Sequence, residues 1–289
     1  MKKLLVLASL VSLAFFSCKD ASTEDPIVDP TPSITYLAPT TPSNRVAVLE
    51  DFTGVRCGYC PDGHVRAKAI EDALPGKFLI VCAHAGGYAL PAAGWANFTS
   101  SASTAIHNQA NPAGYPAGTM NRMPCMTLGV NAMDPARSNM TMGRGDWAAA
   151  ANKVVTMTSP VNIGAKAVFD PKTRELAVTY DLYYTEEETV ANNVSVMLLQ
   201  DKLMAKQSGG TPDPNNYAEN HVLRDNLNGD FGDVVSSPTT KGARVKPKTV
   251  YYTIPTDYNG TGVTGGGAAV LSNMYVYVVV SRGTKEILN

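Results

Sequence analysis

The sequence predicts an α/β domain followed by an antiparallel β-sandwich, both behind a short N-terminal leader. Three observations predict this. A strand pattern, a Cys-x-x-Cys, a helical pattern and a continuous apolar run follow one another between Arg45 and His84. After Pro160 the apolar residues switch to period two, with turn residues between the runs. Ahead of residue 44, an apolar stretch gives way to a segment rich in Pro, Ser and Thr. Composition agrees, because 289 residues at 44% hydrophobic and 17% charged exclude a disordered chain, a collagen-like repeat and a coiled coil. With 24 basic and 25 acidic residues the net charge is -1, so no basic field makes nucleic acid a partner. Five cysteines are too few for a disulfide-dense scaffold.

The leader comes first. Lys2 and Lys3 precede an apolar run from Leu4 to Phe16. That run is shorter than the ~20 residues a membrane-spanning helix needs, so residues 1–17 read as a signal peptide. The following Ala14-Phe15-Phe16-Ser17-Cys18 resembles a bacterial lipoprotein signal with a loose lipobox. The resemblance implies cleavage before Cys18, lipidation of Cys18 and a membrane as partner, each buried CH₂ adding about 0.8 kcal/mol. Ordinary secretion, with Cys18 a bystander, is the alternative. Residues 18–43 carry Pro26, Pro30, Pro32, Pro39 and Pro42 and too few apolar residues to offset their ordering entropy. They read as a disordered, semi-extended tether. Within it, Lys19-Asp20 and Glu24-Asp25 resemble the acidic export signal of surface-exposed lipoproteins. Exposure at the cell surface is therefore expected over retention on the periplasmic face.

Residues 44–159 form the expected first domain. Arg45 to Phe52 reads as a strand and Thr53 to Arg56 as a turn. The motif Cys57-Gly58-Tyr59-Cys60-Pro61 then opens a helix with Val65, Ala69, Ile70, Ala73 and Leu74 on one face, stopped by Pro75-Gly76. Phe78 to His84 suits a buried parallel strand. A thiol at a helix N-terminus feels the dipole and free N–H groups, which lower its pKa. Cys57 is thus expected at the exposed start of the helix, with Cys60 one turn in, placed to resolve a mixed disulfide. A permanent Cys57–Cys60 staple is the alternative. No second Cys-x-x-Cys and no paired histidines lie nearby, so neither a metal site nor a cofactor is expected. Further helices are expected at Trp95–Gln109 and over 146–158, the second capped by Asp146. That cap also explains Arg144-Gly145-Asp146 without an adhesion role. Cys82 reads as a buried small hydrophobe, and a bridge to Cys125 stays open. His64 lies four residues after Cys60, near enough to approach the thiols, but reads as solvent-exposed.

The segment EDFTGVRCGYCP resembles the thioredoxin fold and, more closely, the Omp28-related family of Bacteroidetes outer-membrane lipoproteins. The resemblance implies an α/β thioredoxin-like domain. It makes Asp51 the buried acid that takes protons during exchange. It also makes Pro116, in Gly114-Tyr115-Pro116-Ala117-Gly118, a cis-proline facing the cysteines, with Thr119 to Arg122 opening the next strand. Arg56 departs from the Trp usual before the first Cys, which changes the recognition surface more than the chemistry.

Residues 160–289 form the expected sandwich, of immunoglobulin or fibronectin type. Val161–Phe169, Glu175–Tyr184, Val194–Gln200, Thr249–Ile254 and Met274–Val280 all alternate. Asn220-His221-Val222-Leu223-Arg224-Asp225 resembles a recurring family motif, and His221 and Arg224 are candidates for a ligand or interdomain contact, or for a loop clasp. Asn226 to Asp230 resembles part of a calcium loop, but Phe231 stands where the turn needs Gly. The functional expectation is thiol–disulfide exchange on a protein partner by Cys57 and Cys60, with Asp51 and Pro116 in support. A surface binding or adhesion lipoprotein with a structural disulfide is the alternative.

Overall fold

Strand β1 (Ala47–Thr53) is buried along its whole length, as a strand covered on both faces and both edges must be. The computed structural model describes residues 34–90, 92–236, 239–259 and 266–289. The expected signal peptide, Cys18 and most of the expected tether lie outside them. Helix α1 (Cys60–Ala73) begins with Pro61, whose missing N–H costs nothing in a first turn. It ends before Gly76, at a positive φ of 71°. Strand β2 (Phe78–His84) then returns parallel to β1. The buried face of α1 is Gly63, Ala67 and Ile70, while Val65 is 65% exposed, so the expected apolar face is rotated. Close approach sets that face: a Cβ on Gly63 would sit 3.2 Å from the Pro116 ring and 3.3 Å from Trp147.

Helix α2 (Ser101–Ala110) starts later than the expected Trp95. The Asn97 carboxamide accepts from the Thr99 amide at 3.0 Å, a local bond that competes with helix, and Ser100 supplies the cap. Strand β3 (Ala117–Met120) pairs antiparallel with β1. The short α3 (Cys125–Leu128) follows, then β4 (Thr141–Gly143) beside β3, and α4 (Trp147–Val154) buries Trp147, Ala150, Ala151 and Val154. Beneath β3, Glu50 and Arg122 form a buried ion pair with bonds of 2.6 and 2.9 Å, and Thr119 donates to the same carboxylate.

The second half supplies β5 (Val161–Asp170), β6 (Glu175–Tyr184) and β7 (Asn192–Gln200). A small hairpin follows, β8 (Leu203–Ala205) with β9 (Tyr217–Glu219). Then come β10 (Val222–Asn226), β11 (Asp233–Ser236), β12 (Arg244–Thr253) and β13 (Met274–Arg282). Strands β12, β6 and β5 make one antiparallel sheet. The rest of the large strands make one mixed sheet in the order β11-β7-β10-β2-β1-β3-β4, with β13 also on β7. Every residue of β7 is buried. Val194, Val196 and Leu198 pack with β5 and β6, whereas Met197 and Leu199 pack with Val48, Phe52, Val81 and Ile106. Alternation along one strand thus feeds two cores.

The expectation of a self-contained sandwich over 160–289 is corrected here. The β12-β6-β5 sheet does have a facing layer, but that layer continues into the sheet of the first half. Residues 159/160 mark a change of pattern and no break in the sheet, and the chain from Thr35 onward is one compact unit. The reason is the edge of β2, which β10 covers, with Val222 opposite Cys82. Part of the segment read as a tether packs on the body. The Leu37 and Ala38 amides donate to the buried Asp181 carboxylate at 2.6 and 2.9 Å, and Asn162 donates to the carbonyls of Pro39 and Thr41. Gly164 permits this docking, because a Cβ there would overlap Ala38.

Candidate functional site

Cys57 and Cys60 are joined in a disulfide, with Cα atoms 5.4 Å apart. The Gly54 carbonyl accepts from the Cys57 amide at 2.9 Å, closing the turn between β1 and α1. Cys57 is only 2% exposed and Cys60 fully buried, which corrects the expected exposed thiol. The cover comes from the far half of the chain, between β8 and β9. The Ser208 amide donates to Val55 O at 2.8 Å, and the Gln207 side chain donates to Cys57 O at 2.9 Å. Gly209, at φ 71°, lies against Gly58 O so closely that a Cβ would overlap it. Arg56 is exposed and donates to Gly87 O at 2.6 Å, and Tyr59 is 72% exposed beside it.

The Tyr115–Pro116 peptide bond is cis, and the Pro116 ring packs on α1 at Gly63, one turn beyond Cys60. Thr211–Pro212, in the covering segment, is also cis. Cys82 and Cys125 are both free, so the bridge left open between them does not form.

Below this turn, β1 and β2 place Asp51 opposite Cys82 in register, so both side chains share the sheet face that α1 covers. Asp51 is fully buried, and neither of its oxygens has a hydrogen-bond partner among the described residues. Burial pushes its carboxyl up to about 8. His64 is not solvent-exposed as expected: its side chain is 13% accessible and its Nε2 lies 3.8 Å from Asp51 Oδ2. The same nitrogen is 3.1 Å from Thr53 Oγ1, and Nδ1 is 2.9 Å from the Tyr217 hydroxyl. Burial and the nearby His221 charge push His64 down to about 4. Glu219 is fully buried 3.7 Å from His84. Burial, then the Asp51 charge, pushes Glu219 up to about 8, and burial pushes His84 down to about 3. Burial, then the charges of Asp51 and Glu219, raises the Cys82 thiol well above its ordinary value.

Sequence reasoning missed Glu219, His84 and Tyr217. The available signal was polarity out of place, a His closing the apolar FLIVCAH run. Tyr217 and Glu219 arrive from a hairpin some 160 residues downstream of β1, and no local pattern reports that.

His221 and Arg224 do different things. The Cys82 amide donates to His221 O at 2.8 Å, and His221 Nδ1 is 2.7 Å from the Tyr275 hydroxyl. His221 Nε2 lies 3.9 Å from Glu71 on α1. His221 therefore touches elements of the first half. Arg224 is buried and donates to Gly266 O and Gly267 O at 2.9 and 3.0 Å, with its guanidinium 4.5 Å over Tyr258. It clasps a loop. Arg144 is engaged by Asp62.

The family model for "Outer membrane protein Omp28" matches residues 103–265. Among solved structures, HBP35 of Porphyromonas gingivalis is similar at a TM-score of 0.60 and 18% identity, over 86% of this chain and 74% of that one. That likeness concerns the fold. Protein AGR_C_4864 of Agrobacterium tumefaciens matches at a TM-score of 0.40 and 14% identity, over 81% of this chain and 95% of that one. No curated protein matches. With more than half its length matched by the family model, the chain belongs to the Omp28 outer membrane protein family.

Proposed function

We propose that the chain is an outer-membrane lipoprotein, anchored through Cys18 and exposed at the cell surface, whose Cys57–Cys60 pair exchanges disulfides with envelope or extracellular proteins. In this reading residues 44–159 are thioredoxin-like. The reduced Cys57 thiolate attacks a substrate disulfide, displacing one sulfur and forming a mixed disulfide. The Cys60 thiolate then attacks Cys57, releases the substrate dithiol and restores the Cys57–Cys60 bond. Asp51 takes the proton of Cys60, and Pro116 shapes the docking edge. The observation that carries the reading is a Cys57–Cys60 bond at the start of α1 with the Pro116 ring packed against the same helix one turn further on. His221 and Arg224 support the region without touching substrate.

One observation favours a second reading. Cys57 is 2% exposed beneath residues 207–209. In that case the disulfide staples the helix start, and the protein is a binding lipoprotein acting through its outer surface. Cys60→Ser protein recovered from intact cells distinguishes the two. Exchange predicts partner proteins held on Cys57 by a reducible bond, and no such adduct in cells that display the protein supports the staple.

A further inference from the structure

We propose that Asp51, His64 and Cys82 bind a divalent transition-metal ion of borderline softness, zinc being the type. Their donor atoms, a carboxylate oxygen, an imidazole nitrogen and a sulfur, all lie within 4.8 Å of one another. The three come from β1, α1 and β2, so no ligand spacing in the chain announces them. The donor set selects the ion class. A thiolate beside an imidazole suits zinc and its neighbours, whereas calcium and magnesium take oxygen almost exclusively.

A second, independent observation points to a ligand. Both oxygens of Asp51 are fully buried without a partner among the described residues, and so are both oxygens of Glu219 beside them. An unmet buried acceptor costs about 1–3 kcal/mol, more when charged. A cation between Asp51 and His64 removes that cost for the Asp51 oxygen it binds. Bonds of about 2.0–2.3 Å at tetrahedral angles place ligand atoms roughly 3.3–3.7 Å apart. The Asp51 Oδ2–His64 Nε2 separation is already 3.8 Å. The widest pair closes by about an ångström.

The surroundings also fit a metal site. Tyr217 OH, 2.9 Å from His64 Nδ1, engages the nitrogen away from Asp51 and so orients the ring. A cleft of about 320 Å³, lined by His64, Cys82, Tyr217 and Asn220, gives the ion a way in and room for water as a fourth ligand. On binding, the Cys82 sulfur coordinates as thiolate and its proton leaves to solvent. Neither Cys57 nor Cys60 is a ligand, but the site shares Asp51 with the proposed exchange reaction, so a bound ion occupies the carboxylate that would take the Cys60 proton.

The test uses the full chain in detergent, oxidised at Cys57–Cys60, stripped with chelator and titrated with cobalt(II), then zinc. The proposal predicts one cobalt per chain, a thiolate-to-cobalt charge-transfer band, and loss of that band as zinc displaces cobalt. Cys82→Ser removes the band, Cys125→Ser keeps it, and His64→Gln weakens binding by roughly tenfold or more. Should Cys82→Ser fail to fold, zinc protection of Cys82 from alkylation in the unaltered protein gives the same answer. Binding without a thiolate band, a band that survives Cys82→Ser, or no stoichiometric binding overturns the proposal. A Cys57→Ala/Cys60→Ala chain that still shows the band separates the metal site from the exchange reading, whichever way that reading falls.

Discussion

Burial without a partner makes Asp51 a weak acid, pushed up to about 8, and burial with the nearby His221 charge makes His64 a weak base, pushed down to about 4. With metal removed by chelator, this sets the sign of a pH effect. Between the ordinary carboxylate value of 3.8 and about 8, folded Asp51 holds a proton that the unfolded chain has released. Stability therefore falls as pH rises through that window. Glu219 acts in the same direction. His64 and His84 act oppositely, but only below 6.5, where the unfolded chain takes up protons that the folded one refuses. From 6.5 to 8 the carboxyls act alone, and Cys82, facing them, stays protonated. The unfolding midpoint in urea is predicted to fall over that interval. Asp51→Asn is predicted to flatten the slope by up to about 1 kcal/mol per pH unit. An unchanged slope contradicts the burial argument. The acid was legible in the sequence only by resemblance; of its neighbours, Cys82 reads as buried, as it is, His64 reads as exposed, as it is not, and Glu219, His84 and Tyr217 were missed. His64 sits on a helix whose apolar face the sequence pattern rotates, because small residues at Gly63 and Ala67, and not Val65, make the contact.

At the scale of elements, the segment between β8 and β9 governs access to Cys57. Gln207 is fully buried and donates to Cys57 O, Gly54 O and Ser208 O. Removing it takes away the shortest donor to Cys57 O and the side-chain donor to Ser208 O, a loss of about 1–3 kcal/mol. Gln207→Ala is predicted to speed dithiothreitol reduction of Cys57–Cys60 by roughly tenfold or more, since each 1.4 kcal/mol in an opening equilibrium is a factor of about ten. An unchanged rate shows that the segment does not gate the disulfide. The Glu50–Arg122 pair is a second element-scale anchor, holding β1 to the chain beyond β3. Arg122→Ala strands a buried carboxylate and is predicted to cost about 3–5 kcal/mol in chemical denaturation. A loss below 1 kcal/mol contradicts that. Elements with a clean period were legible: β2 runs from Phe78 to His84 and β6 from Glu175 to Tyr184 as read. Helix α2 was overrun at its start, because the side-chain bonds of Asn97 and Ser100 outweigh apolar spacing there.

Across the whole molecule, the two halves share one mixed sheet through β10 and β7. A strand's period reports which residues face a core and is silent on which strand lies beside it. The run Val-Met-Leu-Leu in β7 held the one hint, since continuous apolar sequence means burial on both faces. The merger also brings residues 207 and 208 to Val55 and Cys57, and Tyr217 and Glu219 to His64 and His84, so the second half builds part of both places. The docked Leu37 and Ala38 place the start of the body at Thr35 and shorten any lipid tether accordingly.

The most direct test of the exchange reading is the reduction potential of Cys57–Cys60 in the folded protein, from equilibration with glutathione or dithiothreitol and read by mass spectrometry. The account predicts a value between roughly -270 and -120 mV, the range of working exchange proteins. A value below about -300 mV, typical of structural disulfides, contradicts it.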